Sequence, residues 1–180
     1  MQNGQYSECF AVNLDKTVTN VVKLLEQRGL TISTAESCTG GLLSELITSV
    51  SGASAVFELG LCTYSEKMKM KYLGVSEAVL SQYGVVSYET ALAMVQGLKK
   101  CSGADVCVSV TGIAGPGGGT EETPVGTIYV GFDICGNQFV RLPDLRNLHD
   151  KSRDNLRRTV AGYAFGIIEE ILMKAVQTNE

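Results

Sequence analysis

The sequence predicts an α/β sandwich with an antiparallel pair late in its sheet. Three observations carry this expectation. Strand-like and helix-like segments alternate along most of the chain, as they do when helices cover a largely parallel sheet. The run Asp105–Val110 (DVCVSV) is apolar almost throughout, the pattern of a strand buried on both faces. Two further strand-like runs flank Gly136–Asn137, which reads as a hairpin turn.

In chain order, residues 1–12 read as a loose tail before one domain at 13–180. From Asn13 to Gly29, apolar residues Val18, Val21, Val22, Leu24 and Leu25 recur at helical spacing, with Asn13 as cap and Gly29 as stop. Leu30–Thr34 is a short strand, and Gly40–Val50 a helix entered through a turn of small residues. Phe57–Tyr64 is the second strand and leads into a helix ending at Leu73. Helices follow over Ser76–Tyr83 and Ser87–Lys100, then the buried strand Asp105–Val110. Val125–Ile134 and Gln138–Leu142 form the hairpin, and a long helix spans Asp150–Val176. Neither internal repeats nor an interdomain linker interrupts this order.

Composition narrows the function classes. A chain of 180 residues and 19.2 kDa buries about 70% of its unfolded surface, so it needs no disulfide or metal staple. With 44% hydrophobic and 19% charged residues the chain is a folding one. Its net charge of −4 and lack of a basic block argue against general binding to nucleic acid or anionic membranes, while leaving room for a local cationic pocket. The longest apolar stretch, Val160–Met173, is broken by Glu169 and Glu170, and no run reaches the roughly 18 residues of a membrane span. The N-terminus lacks the basic and apolar regions of a signal peptide, so a soluble, cytoplasmic protein is expected.

Cys9, Cys38, Cys62, Cys101, Cys107 and Cys135 contain no Cys-x-x-Cys pair and read as reduced thiols. With His149 the sole histidine, a mixed His/Cys zinc site has little material. A Ser-His-Asp triad would have to use that same residue, which lies in a polar stretch. An enzyme built from this chain is expected to use a base other than histidine, and neither a metal nor an organic cofactor.

Three segments depart from a plain fold. Thr34-Ala-Glu-Ser-Cys-Thr-Gly-Gly41 joins a strand to a helix, where α/β proteins bind ligands at outward-pointing helix amides. Ser37 is presented there, with Gly40 and Gly41 permitting close backbone approach. Ser37 or Thr39 would equally serve as an ordinary helix cap. Thr63-Tyr-Ser-Glu-Lys-Met-Lys-Met-Lys-Tyr-Leu73 carries three lysines. On a helical wheel Lys69 falls with Ser65, Met68, Tyr72 and Leu73 on the more apolar face, while Lys67 and Lys71 fall among the solvated residues. Desolvation would lower its pKa toward that of a useful base. A lysine whose stem packs and whose amine reaches water fits the same pattern. Thr111-Gly-Ile-Ala-Gly-Pro-Gly-Gly-Gly119 follows the buried strand and can cradle an anion with backbone N–H groups, or be a plain surface loop. It matches neither a Walker A nor a GxGxxG pattern, so ATP and dinucleotide binding lack support. Arg153 and Arg157, four apart, suit either an anion clamp or a solvated stripe.

Together these segments resemble the CinA C-terminal-domain family, the nicotinamide-nucleotide amidohydrolases. The resemblance rests on Thr34–Gly41, on Thr63-Tyr64-Ser65 with Lys69 and Leu73-Gly74-Val75, on Thr111–Pro116 and on Pro124-Val-Gly-Thr127. These blocks occur in family order from about Val18 to Leu172. The resemblance implies a three-layer α/β/α sandwich around a mixed, mainly parallel five-stranded sheet. It also implies hydrolysis of nicotinamide mononucleotide to nicotinate mononucleotide and ammonia, with a catalytic set at Ser37, Tyr64 and Lys69. On that basis Ser37 is the nucleophile, and Lys69 takes its proton directly or through Tyr64. Backbone amides of Cys38, Thr39, Gly40 and Gly41 hold the oxyanion. The substrate phosphate is expected among Thr111, Gly112, Gly115, Arg153 and Arg157. Cys38 is a rival nucleophile by adjacency. Many relatives carry Gly-Asp-Arg where this chain has Lys151-Ser152-Arg153, a departure that bears on phosphate contacts. The nucleotide-processing domain of longer relatives is not expected, since residues 1–12 alone precede the first helix. A catalytically silent nucleotide-binding module and a competence- or damage-related partner protein are the competing readings. A symmetric dimer is the default assembly.

Overall fold

The computed structural model describes residues 13–145 and 148–177; the loose tail expected over 1–12 lies outside the described residues. Helix α1 (Leu14–Arg28) buries Val18, Val21, Val22 and Leu25, the stripe its spacing predicts. Gly29 ends it in the left-handed region at φ 61°, which lets the Gly29 and Leu30 N–H groups turn back onto Glu26 and Leu25 carbonyls. Asn13 makes no side-chain cap bond, contrary to the expectation.

Strand β1 covers Ile32–Glu36, two residues later than the sequence suggests. Its polar residues read locally as a turn. Ladder partners on both sides, β2 (Phe57–Cys62) and β3 (Val106–Gly112), carry the strand through Thr34 and Glu36. The sheet order is β2-β1-β3-β4-β5, with β4 at Ile128–Ile134 and β5 at Asn137–Arg141. β1 runs parallel to β2 and β3, whereas β3–β4 and β4–β5 are antiparallel. Four strands therefore point one way and β4 opposes them. The hairpin turn is Cys135–Gly136, one residue earlier than expected, because Asn137 pairs with Ile134 and joins β5. Both turn residues have positive φ (52° and 87°), as a two-residue turn matching strand twist requires.

Helices cover both faces. α1, α2 (Leu42–Thr48) and α6 (Arg153–Gln177) lie on one side, where Val106, Val108, Val110 and Phe132 meet Val160, Phe165 and Ile168. On the other side α3 (Glu66–Leu73), α4 (Glu77–Tyr83) and α5 (Tyr88–Ser102) pack Leu73, Leu80, Met94 and Leu98 against Ala35 and Cys107. The three-layer sandwich is thus observed. α6 begins at Arg153, three residues later than expected, because the Asp150 carboxylate accepts from the Ser152 N–H and hydroxyl in the preceding turn. α5 approaches α3 closely at Gly97, where a Cβ would overlap the Leu73 carbonyl. Among the described residues no helix is long and apolar enough to cross a membrane.

Candidate active site

Parallel strands deliver their C-terminal ends to one edge of the sheet, so residues from β1, β2 and β3 converge there. Ser37 follows β1 directly, and its N–H extends the ladder by donating to Val110 O at 3.0 Å. The chain then turns: Gly40 N–H donates to Ser37 O at 3.1 Å, and Gly40 and Gly41 take φ values of 62° and 96°.

Glu36 holds this turn from within. Its fully buried carboxylate accepts from the N–H groups of Gly41, Leu43 and Ser44 and from the Ser44 hydroxyl, at 2.9–3.1 Å. An anion at the start of α2 is favoured by the helix dipole and by donors that have no intrahelical partner. Sequence reasoning missed this residue. Its donors lie five to eight positions downstream, outside any capping motif, and a strand-borne glutamate would normally be assigned to the surface.

Lys69 comes from α3, which Ser65 caps by accepting from Met68 N–H at 3.3 Å. The wheel is right about this lysine: only 1% of Lys69 is exposed, Leu73 is buried beside it, and Lys67 and Lys71 face solvent. Tyr72, placed on the same face by the wheel, is exposed. The Lys69 amine donates to Thr63 O at 2.8 Å and to Tyr64 O at 3.3 Å, and Nζ stands 2.9 Å from Ser37 Oγ. Burial pushes its pKa below the ordinary lysine value, opposed in part by Cys38, Glu66 and Cys62. Among the described residues no carboxylate lies within ion-pair distance of it. A neutral amine has two N–H bonds and one lone pair. In that form the carbonyls would take the two protons and leave the lone pair for the serine hydroxyl, whereas the ammonium form donates its third N–H to Ser37 Oγ.

The structure distributes the other expected residues differently. The Tyr64 ring is 62% exposed, and its hydroxyl accepts from Arg153 Nη2 at 3.3 Å, so the residue meets Lys69 through its carbonyl. The relay through the Tyr64 hydroxyl is not assembled, because that oxygen faces Arg153. Arg153 also donates to Gly115 O at 2.8 Å, which joins α6 to the loop after β3. Arg157 does not reach that loop: Nε and Nη2 both donate to Thr39 O, at 3.1 and 2.6 Å. Thr111 is buried and donates its hydroxyl to Val85 O at 2.6 Å. Gly112 sits within β3, where a Cβ would collide with Ile128.

The turn amides also divide. Gly40 and Gly41 are bonded internally, whereas the N–H groups of Cys38 and Thr39 meet no oxygen acceptor among the described residues. The Cys38 thiol is buried, and that burial pushes its pKa up to about 11, so it stays protonated at neutral pH. Among the described residues no group of three His, Cys, Asp or Glu side chains stands close enough to hold a metal ion.

Comparison with known proteins follows the same outline. The model of the CinA C-terminal domain matches residues 14–172. A CinA-like protein of Kosmotoga olearia is 45% identical over 156 residues, which cover 87% of this chain and 37% of that protein. A CinA-like protein of Thermotoga maritima is 51% identical over 133 residues, covering 74% of this chain and 32% of its own length. The chain thus spans under two fifths of these curated relatives. The crystal structure of a CinA superfamily protein from Klebsiella pneumoniae superposes with a TM-score of 0.83 at 28% identity, covering 90% of this chain and 99% of that one. The competence/damage inducible protein CihA from Agrobacterium tumefaciens gives 0.80 at 35% identity, covering 86% and 92%.

Proposed function

This chain belongs to the CinA C-terminal domain family, and from that premise we propose that it hydrolyses the carboxamide of nicotinamide mononucleotide to nicotinate mononucleotide and ammonia. One observation carries the reading: a buried lysine whose amine is held by two carbonyls lies 2.9 Å from a serine hydroxyl at the mouth of a parallel sheet. An amide is a weak electrophile with a poor leaving group, so its hydrolysis needs a nucleophile, a base and an oxyanion site.

Ser37 Oγ attacks the carboxamide carbon while its proton passes directly to the Lys69 lone pair. The carbonyl oxygen takes up the negative charge and is held by the Cys38 and Thr39 N–H groups. Lys69 returns the proton to the departing nitrogen as the C–N bond breaks, releasing ammonia and leaving an ester on Ser37. Water then attacks the ester and gives one proton to Lys69. The C–Oγ bond breaks, Oγ recovers that proton, and the nicotinate product leaves. Lys69 is charged only transiently, which suits a site that disfavours its ammonium form. Arg153 and the Gly115 loop receive the phosphate, with the exposed Tyr64 ring as a wall for the base.

The test is ammonia release from nicotinamide mononucleotide by the purified chain. Ser37→Ala removes turnover by at least ~10³-fold. Cys38→Ala, which keeps the backbone amide, retains it to within about tenfold. Turnover by Ser37→Ala at the rate of the unaltered protein refutes the nucleophile.

A further inference from the structure

The two bonds from Arg157 to one carbonyl are not explained by binding substrate, and they fall on the turn that carries the nucleophile. The Arg157 side chain is 28% exposed and reaches from the first turns of α6 to Thr39, with Asp154 Oδ1 3.9 Å from its remaining nitrogen. Nε and Nη2 converge on Thr39 O at 3.1 and 2.6 Å. A guanidinium is rigid and planar, so two of its nitrogens on one oxygen define where that oxygen lies better than a single donor can.

Thr39 is also the residue whose N–H, with that of Cys38, is left without an oxygen acceptor in the turn. Fixing its carbonyl limits rotation of the adjoining peptide planes, and so limits where both N–H groups point. Glu36 anchors the following residues, Gly41 to Ser44. The Ser37 amide is anchored to Val110. Between these anchors, Cys38 to Gly40 are held by two internal bonds, Gly40 N–H to Ser37 O at 3.1 Å and Leu42 N–H to Thr39 O at 3.3 Å, and by Arg157, which supplies two of the three donors on the Thr39 carbonyl. Packing restrains the buried Cys38 and Thr39 side chains but not the following turn, where glycines occupy positions 40 and 41 and the nearest heavy atom to a Cβ at 40 would be Arg157 Nη2 itself, at 3.7 Å.

We propose that Arg157 is a positioning residue that aims the Cys38 and Thr39 amides at the oxyanion formed on attack by Ser37. This rests on the serine–lysine reading above. A donor displaced by about 1 Å costs on the order of 10²-fold in rate, and an oxyanion donor lost outright costs about 10²–10³-fold. The arginine touches no reacting atom, so its effect falls on the chemical step and leaves substrate affinity largely intact.

Arg157→Ala and Arg157→Lys are compared with the unaltered chain in two assays: steady-state ammonia release from nicotinamide mononucleotide, and covalent labelling of Ser37 by a fluorophosphonate, which needs the oxyanion site but no natural substrate. Arg157→Ala lowers kcat and the labelling rate together by about 10–100-fold with KM changed less than about threefold. Arg157→Lys, restoring one donor, lies between, and added guanidinium at millimolar concentration recovers part of the Arg157→Ala labelling. A raised KM with unchanged kcat and labelling overturns the proposal in favour of substrate binding, and unchanged values in both assays overturn it outright. Should the unaltered chain label at Ser37 yet release no ammonia, the substrate assignment fails, and the labelling ratios still decide the role of Arg157. If Arg157→Ala does not fold, Arg157→Lys alone decides through the same ratios.

Discussion

Ser37 Oγ and Lys69 Nζ lie 2.9 Å apart although 32 residues separate them in the chain. Parallel pairing of β1 with β2 brings their carriers together, since Glu36 and Cys62 are ladder partners and Thr63 N–H donates to Glu36 O at 2.8 Å. The dyad is therefore a product of strand register. α3 only has to follow β2 for the amine to reach the serine.

Lys69 makes both activity and stability depend on pH in the same direction. The unfolded amine titrates near its ordinary 10.5 and the folded one lower, so between those values the unfolded chain holds more protons. Stability rises as pH increases through the folded pKa and levels off at 10.5, and turnover rises with the same deprotonation. Lys69→Met abolishes turnover and removes this slope from denaturant-derived stability. Lys69→Arg cannot shed its proton and is also inactive. An unchanged slope in Lys69→Met would mean that another group titrates.

Tyr64→Phe separates direct transfer from a relay. The hydroxyl faces Arg153 and lies on an exposed ring, so its removal leaves kcat within about fivefold and acts mainly on KM. A relay would lose about 10²–10⁴-fold in kcat. Steady-state kinetics on the single variant distinguishes the two.

Glu36→Gln keeps the size of the side chain and removes its charge. One acceptor oxygen becomes an NH₂ group facing backbone donors, which leaves buried N–H groups unbonded. The expected loss is about 2–4 kcal/mol in urea unfolding, because bonds to charged groups contribute more than neutral ones and orphaned donors add a desolvation penalty. Activity falls with it, since the nucleophile turn loses its inner anchor.

Gly97→Ala reverses the usual helix preference. In an open helix the change stabilises by about 1 kcal/mol. Here the added methyl would overlap the Leu73 carbonyl and force α3 away from α5. A loss of about 1–3 kcal/mol is expected, together with reduced turnover, because α3 carries Lys69. Thermal unfolding and the ammonia assay read the two effects.

Much of this architecture could be read in advance because it depends on local patterns. Helical spacing marks α1, and an unbroken apolar run marks β3. The 100° wheel separates Lys69 from Lys67 and Lys71, since burial of one helix face is decided by neighbours three and four positions away. Boundaries were less legible: β1 continues through Thr34 and Glu36 because two neighbouring strands supply ladder partners, and no local signal reports them.

The sequence by itself determined the order of strands and helices, which of three lysines lies on the more apolar face of its helix, and the serine at a strand-to-helix turn, all consequences of residue type and short-range periodicity. Only the tertiary structure decided that Glu36 caps α2 from a neighbouring strand, that Tyr64 turns to Arg153, and that Arg157 grips Thr39 from 118 residues away. The last two contacts join segments 89 and 118 positions apart, and the first spans five to eight positions outside any local capping pattern, so all three depend on three-dimensional hydrogen-bond geometry that short-range periodicity does not report.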